Sequence, residues 1–385
     1  MLRASCFVIV SLVFSGGLVS AGEDSALGTN AALKYWQAFA TLPKLTDAEQ
    51  KVLTLEYATM PLDARARELV TNAEYSLRMM HRGASVRPCN WGIGWKEDGA
   101  ETRLPQLSAA RVLAALATLR ARISFEAGRT QAAVDDIVAA LILGRQSSLD
   151  GSLIGVVNGY AIETHTYDAL AAHLPRLKAD VLRDLQSRFR SLPPGGRPAL
   201  AMRDAEANTV EWIRGKVAAT KDTDDLPKLV VELGIVDGTD AAERSAKAHA
   251  LVEGCGGTKT GFLKYLDEMQ GAYAIAAQKL DMSLAHSETE IDRLTKENAA
   301  NPLFAAVFPS VLACRRAQAR SAIRRALLET AIDIQLNGRD ALKNYADPVM
   351  GGPFELTAFD GGYELRSSWQ QKPVRLTLTV GQRAK

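Results

Sequence analysis

The sequence predicts a mainly α-helical protein: a multi-helix bundle of antiparallel hairpins with a small β meander at the carboxy terminus. Three observations predict it. Aromatic residues are only 6% of the 385 residues while Ala, Leu, Glu, Arg and Lys are abundant, a composition that favours packed helices over sheets. Apolar residues recur at spacings of three and four through most of the chain, the period of a helix that buries one face. Near the end the pattern changes to short β-prone runs divided by Asp360-Gly361-Gly362 and Pro373. With 47% apolar residues the chain can fill real cores, as one large or two ordinary domains.

The first 21 residues, MLRASCFVIVSLVFSGGLVSA, read as a secretory signal peptide cut after Ala21. Arg3 supplies the positive start, Cys6 to Phe14 the apolar run, and Val19-Ser20-Ala21 the small residues at the cleavage site. The run is shorter than the ~20 apolar residues of a spanning helix and is broken by Gly16 and Gly17. Cys6 stands at its start rather than after it, so lipid anchoring is not expected. Residues 22–29 read as a flexible start. Asn30 then caps a helix carrying Tyr35, Trp36, Phe39 and Leu42, stopped by Pro43. Asp47 and Asp63 are expected to cap two more, the second with the stripe Ala66, Leu69, Ala73, Leu77 and Met80. A loop from Gly83 to Pro105 carries Cys89, Asn90, Trp91 and Trp95.

The strongest pattern, from Leu107 to Gln146, is an antiparallel helical hairpin. Ser108 caps a helix with the stripe Val112, Leu116, Leu119 and Ile123; Gly128 turns the chain; a second helix buries Val134, Ile137, Val138 and Leu141. Ala121, Gly128, Ala133, Ile137 and Ala140 make this unit resemble one tetratricopeptide repeat, with Ser124 where that family has an aromatic. No second copy follows at the family's spacing of about 34 residues, so the hairpin is read as an element of a bundle.

Helices are expected from Leu153 to Leu174 and from Lys178 to Leu192, ended by Pro175 and by Pro193-Pro194-Gly195-Gly196. Another carries Met202, Ala205, Val210, Ile213 and Val217, followed by a polar linker from Thr220 to Asp225. Short helices over Leu226–Leu233 and Ala241–Val252 lead to a Gly-rich loop at 254–261. The seam Phe262, Leu266, Met269, Tyr273, Ala276, Leu280 and Leu284 marks the longest helix, expected to pair with a helix over Ser310–Leu336. The strands are Phe354–Thr357, Tyr363–Ser367 and Val374–Val380. The expected organisation is a signal peptide over 1–21, a helical domain over 22–196, a second helical region with the long helix pair over 197–345, and a β tail over 346–385.

The chemistry is sparse. Lys and Arg number 46 against 44 Asp and Glu, a balance that gives no case for nucleic acid as a partner. Cys89, Cys255 and Cys314 follow the leader, which allows one bridge, Cys89 to Cys255, or three reduced and partly buried thiols. No GxSxG, SxxK, HExxH or CxxC is present, and the glycines of 254–260 are not at P-loop spacing. No catalytic, cofactor or metal residue is therefore assigned, and no cofactor is implied. The densest titratable set is Tyr160, Glu163, His165, Asp168 and His173, in which His165 and Asp168 share a helix face. Arg316, Arg320 and Arg324, flanked by Arg315 and Arg325, form a positive row that pairs with a neighbouring helix or grips an acidic partner. Trp91 and Trp95 form an aromatic platform or plug the end of the bundle.

Residues 328 to 367, with Asn337-Gly338-Arg339, Asp347-Pro348-Val349-Met350-Gly351-Gly352-Pro353-Phe354 and Gly362-Tyr363-Glu364-Leu365-Arg366-Ser367, resemble the ending of a group of uncharacterised exported bacterial helical proteins. The early aromatic helix, the Cys89-Asn90-Trp91-Gly92 turn and the Leu104–Gly144 hairpin are similar to that group too. The tail is also similar to that of secretion pseudopilins, but two residues separate Pro348 from Gly351, and the prepilin glycine and glutamate are absent. The function expected is an exported scaffold that binds protein partners of the cell envelope. The alternatives are an exported hydrolase with a site near His165 and Asp168, and a soluble accessory to secretion machinery.

Overall fold

A computed structural model describes residues 30–55, 61–221, 223–371 and 374–382, and it is mainly α with one small antiparallel sheet at the carboxy-terminal end. The signal peptide and the start expected over 1–29 lie outside the described residues.

The amino-terminal helices are α1 (Ala31–Ala40), α2 (Asp47–Leu55), α3 (Ala64–Asn72) and α4 (Glu74–Ala84). Asn30 caps α1 by accepting from the Ala32 amide at 3.1 Å, and Asp63 caps α3 by accepting from Ala66 at 2.9 Å. The cap of α2 is not Asp47 but Thr46: its hydroxyl accepts from the Glu49 amide at 3.2 Å while Glu49 accepts from the Thr46 amide at 2.8 Å, a capping box. The expected stripe runs through two helices hinged at Ala73, and Ala66, Leu69, Ala73, Leu77 and Met80 are all buried. Each such Leu or Met contributes on the order of 2 kcal/mol relative to exposure.

After a short helix α5 (Trp95–Asp98) comes the hairpin of α6 (Pro105–Glu126) and α7 (Thr130–Ser147). Pro105 stands at the first helical position, so α6 starts there, and Ser108 sits inside the first turn instead of capping it. Gly128 turns the chain at φ +72°, a conformation that favours glycine. Next is α8 (Leu153–Ala171), which crosses α7 where Gly159 meets Gly144; a Cβ on Gly159 would lie 2.7 Å from the Gly144 carbonyl oxygen. That contact lets the two backbones touch.

The chain continues through α9 (Ala179–Arg190), α10 (Pro198–Ala205), a π-helical segment (Glu206–Glu211) and α11 (Trp212–Ala219). Then follow α12 (Leu226–Glu232), α13 (Ala241–Gly254), α14 (Lys259–Leu280), α15 (Leu284–Glu297), α16 (Pro302–Val307) and α17 (Val311–Asn337). The longest helix is α17, with 27 residues, not the one that starts near Phe262. The expected seam stops at Leu280 because Ser283 caps a new helix, its hydroxyl accepting from the His286 amide. The expected pairing also differs: α14 packs on α10 and α15, whereas α17 packs along α8.

The sheet joins β1 (Glu355–Phe359), β2 (Gly362–Gln371) and β3 (Val374–Gly381) in the order β1-β2-β3, with Leu356 opposite Leu365 and Leu365 opposite Leu378. It lies on α17 and α8 and is no loose appendage, since Leu365, Leu378 and Val380 are fully buried. Three cores result. One is built on α1, α3, α4 and α6; a second on α7, α8, α9, α17 and the sheet; a third on the helices from α10 to α16. The second core thus draws on all three of the expected folded segments.

Candidate functional site

Where the first and third cores meet, the structure leaves a cleft of about 920 Å³. One wall is α6, which offers Leu107, Ser108, Arg111, Ala114 and Ala115; a second is α8, with Ile154, Asn158, Ala161, Ile162 and His165. Both sets step along their helix by three and four residues, so each is one face. The third wall is the π segment, with Asn208 and Thr209, backed by Tyr273 and Val307. A π turn holds one residue more than an α turn and re-aims the side chains it carries.

Asp150 fixes the end of the cleft where α8 begins. Its carboxylate accepts from the Ser152 amide at 2.9 Å, from the Ser152 hydroxyl at 2.8 Å and from Gln106 at 3.3 Å. Burial raises its pKa and the Ser152 bonds pull it back. Trp95 donates its indole N–H to the Asp150 carbonyl at 2.8 Å and turns its ring to the cleft. Ser152 in turn caps α8, accepting from Gly155 at 2.9 Å.

Deeper along α8 the accounting of donors and acceptors does not close. Asn158 is 1% exposed; its Oδ1 accepts from Arg111 Nε, but its Nδ2 has no hydrogen-bond partner. Arg111 is exposed at the lip, and no carboxylate pairs with it among the described residues. His165 Nε2 lies 3.0 Å from Thr118 Oγ1, and that hydroxyl donates to the Ala115 carbonyl at 2.8 Å. The hydroxyl oxygen is thus left to accept, which assigns the proton to Nε2. Burial lowers the His165 pKa to about 4, so the imidazole is neutral near pH 7.

The titratable set on α8 is dispersed. His165 faces the cleft, while Asp168 pairs with Arg324 of α17 and is raised to about 6 by burial, against the pull of that guanidinium. Glu163 forms a buried ion pair with Arg145 at 2.6 Å and accepts from Ser321 at 2.7 Å. Tyr160 donates to the Gly196 carbonyl, and His173 stacks on Phe125 with ring centroids 4.5 Å apart. The arginine row turns to its neighbours: Arg316 pairs with Glu288, Arg324 with Asp168, Arg325 with Glu329, and Arg315 donates to the Met282 carbonyl.

The two tryptophans part company. Trp91 is buried among Tyr35, Trp36 and Phe39 and donates to the Gln146 carbonyl, whereas Trp95 lines the cleft. The Cys89–Cys255 bridge does not form, because the two lie in different cores; Cys89, Cys255 and Cys314 are all free thiols. Burial pushes Cys89 and Cys314 up to about 12 and Cys255 to about 11, so none is a ready nucleophile. The 254–261 loop serves a helix start: Thr258 caps α14, and Lys259 donates to the carbonyls of Ala218 and Thr220.

Sequence reasoning missed Arg111, Asn158, Asn208 and Thr209. One signal was present: Met202, Ala205, Val210, Ile213 and Val217 are spaced three, five, three and four, and the five marks the π segment. Among the described residues, no three His, Cys, Asp or Glu side chains gather as metal ligands, and no helix is long and apolar enough to cross a membrane. Compared with protein families, with curated proteins and with solved structures, the chain matches none.

Proposed function

We propose that the protein is an exported binding protein that takes a small, mainly apolar molecule into the cleft between α6, α8 and the π segment. The observation that carries this reading is the cleft itself. Its volume of about 920 Å³ falls within the range of small-molecule sites, and it has the usual make-up, apolar walls with a few convergent polar groups. The π segment in its wall is a second support, since such turns are frequent at functional sites. Export rests on the leader-like pattern of residues 1–21. This narrows the envelope-scaffold expectation from a protein partner to a small one. The hydrolase alternative needs His165 and Asp168 to work together, and the partners they take, Thr118 and Arg324, belong to different helices.

The neutral fluorophore N-phenyl-1-naphthylamine tests the reading. Its emission is expected to rise and saturate near one equivalent, and Ala161→Trp, which fills the cleft from an exposed position, is expected to abolish the rise without changing the thermal midpoint. Equal emission with the wild type and the Ala161→Trp variant would refute the cleft as the site.

A further inference from the structure

Resting on that reading, we infer that the molecule bound is an amphipathic monocarboxylate, its carboxylate held by the Arg111 guanidinium and the Asn158 side-chain amide and its apolar body lying along Leu107, Ile154 and Ile162. Several observations converge on it. The Asn158 Nδ2 is a fully buried donor with no acceptor, in the wall of a cleft rather than in a packed core. A buried N–H is nearly always paired, so an acceptor is missing at this point. The Arg111 Nε binds the same Asn158 through Oδ1, which ties cation and amide into one unit and leaves the terminal guanidinium nitrogens for a ligand.

The charge selects the head group. Arg120 on the same helix and Arg145 and Arg324 on α7 and α17 each hold a carboxylate of the protein, and Arg111 holds none among the described residues. The planar fork of guanidinium matches a carboxylate in shape and charge. His165, the other basic side chain in the cleft, shares its Nε2 proton with Thr118 and adds no second cation near neutral pH, so one negative charge is matched and two are not. The apolar body is selected by what the cleft leaves uncovered: Ile154 is 61% exposed at its edge, a large side chain that an acyl chain or ring would shield from water.

Competition against N-phenyl-1-naphthylamine, with decanoate and decan-1-ol as paired probes, tests the inference at neutral pH. Decanoate is expected to displace the fluorophore at a concentration at least about tenfold below decanol, the size of effect of one charge-assisted pair. Arg111→Met is expected to erase that advantage, leaving decanol within about twofold of the wild type. Asn158→Leu is expected to reduce it by about fivefold, as a neutral donor contributes less than a charged one. Retained decanol displacement in each variant shows that it is folded. Equal displacement by the two probes in the wild type, or equal weakening of both in Arg111→Met, overturns the carboxylate inference and leaves the cleft standing. Failure of the fluorophore itself to bind overturns the cleft reading and this inference with it.

Discussion

Helix α6 carries two polar clusters a few turns apart, built on the same kind of residue. Around Arg120, Nε donates to Asp136 Oδ2 at 2.8 Å, Nη1 reaches Glu74 at 3.1 Å, and His81 Nε2 meets Asp136 Oδ1 at 2.7 Å. Asp136 is 3% exposed, and these partners surround it beside a second, smaller pocket of about 520 Å³. Around Arg111 there is an amide and, among the described residues, no carboxylate, and one of the amide's own donors is unmet. The first arrangement uses its cation to hold α4, α6 and α7 together; the second holds a cation at the edge of an apolar cleft. Pairing, more than position or residue type, separates the two arginines.

The largest test falls on the closed cluster. Asp136→Ala leaves His81 without its carboxylate and Arg120 with only the exposed Glu74, and is expected to cost about 3–5 kcal/mol in urea denaturation. A loss below about 1 kcal/mol would break the comparison, because the closed cluster would then be no more structural than the open one.

An intermediate case is His173, 2% exposed and stacked on Phe125, with its Nδ1 unpaired. Its pKa is lowered to about 4, first by burial, with Glu126 opposing and Arg176 and Arg122 assisting. Between about pH 6.5 and pH 4 the unfolded chain therefore binds a proton that the folded chain refuses, so stability falls as pH falls through that window. The wild type is expected to lose about 1 kcal/mol per pH unit there relative to His173→Phe, with a difference that does not change with pH above pH 7. Parallel curves for the two proteins would show that this imidazole is not kept neutral by the fold.

The smallest effect is expected in the open cluster. Arg111→Met combined with Asn158→Leu removes an unmet buried donor along with its exposed partner, and stability is expected to change by less than about 1 kcal/mol, toward the more stable side. A large destabilisation would place Arg111 with the structural arginines.

The helical class, the α6–α7 hairpin and the carboxy-terminal strands were legible because each rests on a local period or a turn residue, such as Gly128 or Asp360-Gly361-Gly362. Helix starts were legible where the capping residue stood alone, as at Asn30 and Asp63. They slipped where a stronger signal stood beside it: Thr46 with Glu49 outdoes Asp47, and Pro105 outdoes Ser108. The partner of α17 was not legible, since a stripe tells which face is buried and not what buries it. The site was half visible in the same way. His165 stands out as a titratable residue, but Asn158 in the run Val156-Val157-Asn158-Gly159 reads alike whether its amide is satisfied or not. Satisfaction is a property of three-dimensional neighbours.

The π segment ties the shape of the cleft to the length of one helix. Because a π turn differs from an α turn by a single added residue, the third wall turns on one residue more than a regular helix would hold there. Its removal would restore continuous α register from Pro198 to Ala219 and rotate the first half of that helix, with Asn208 and Thr209, relative to the second. The third core takes Ala199 and Met202 from before the segment and Ile213 and Val217 from after it, so the one extra residue sets the cleft wall and the packing of that core together.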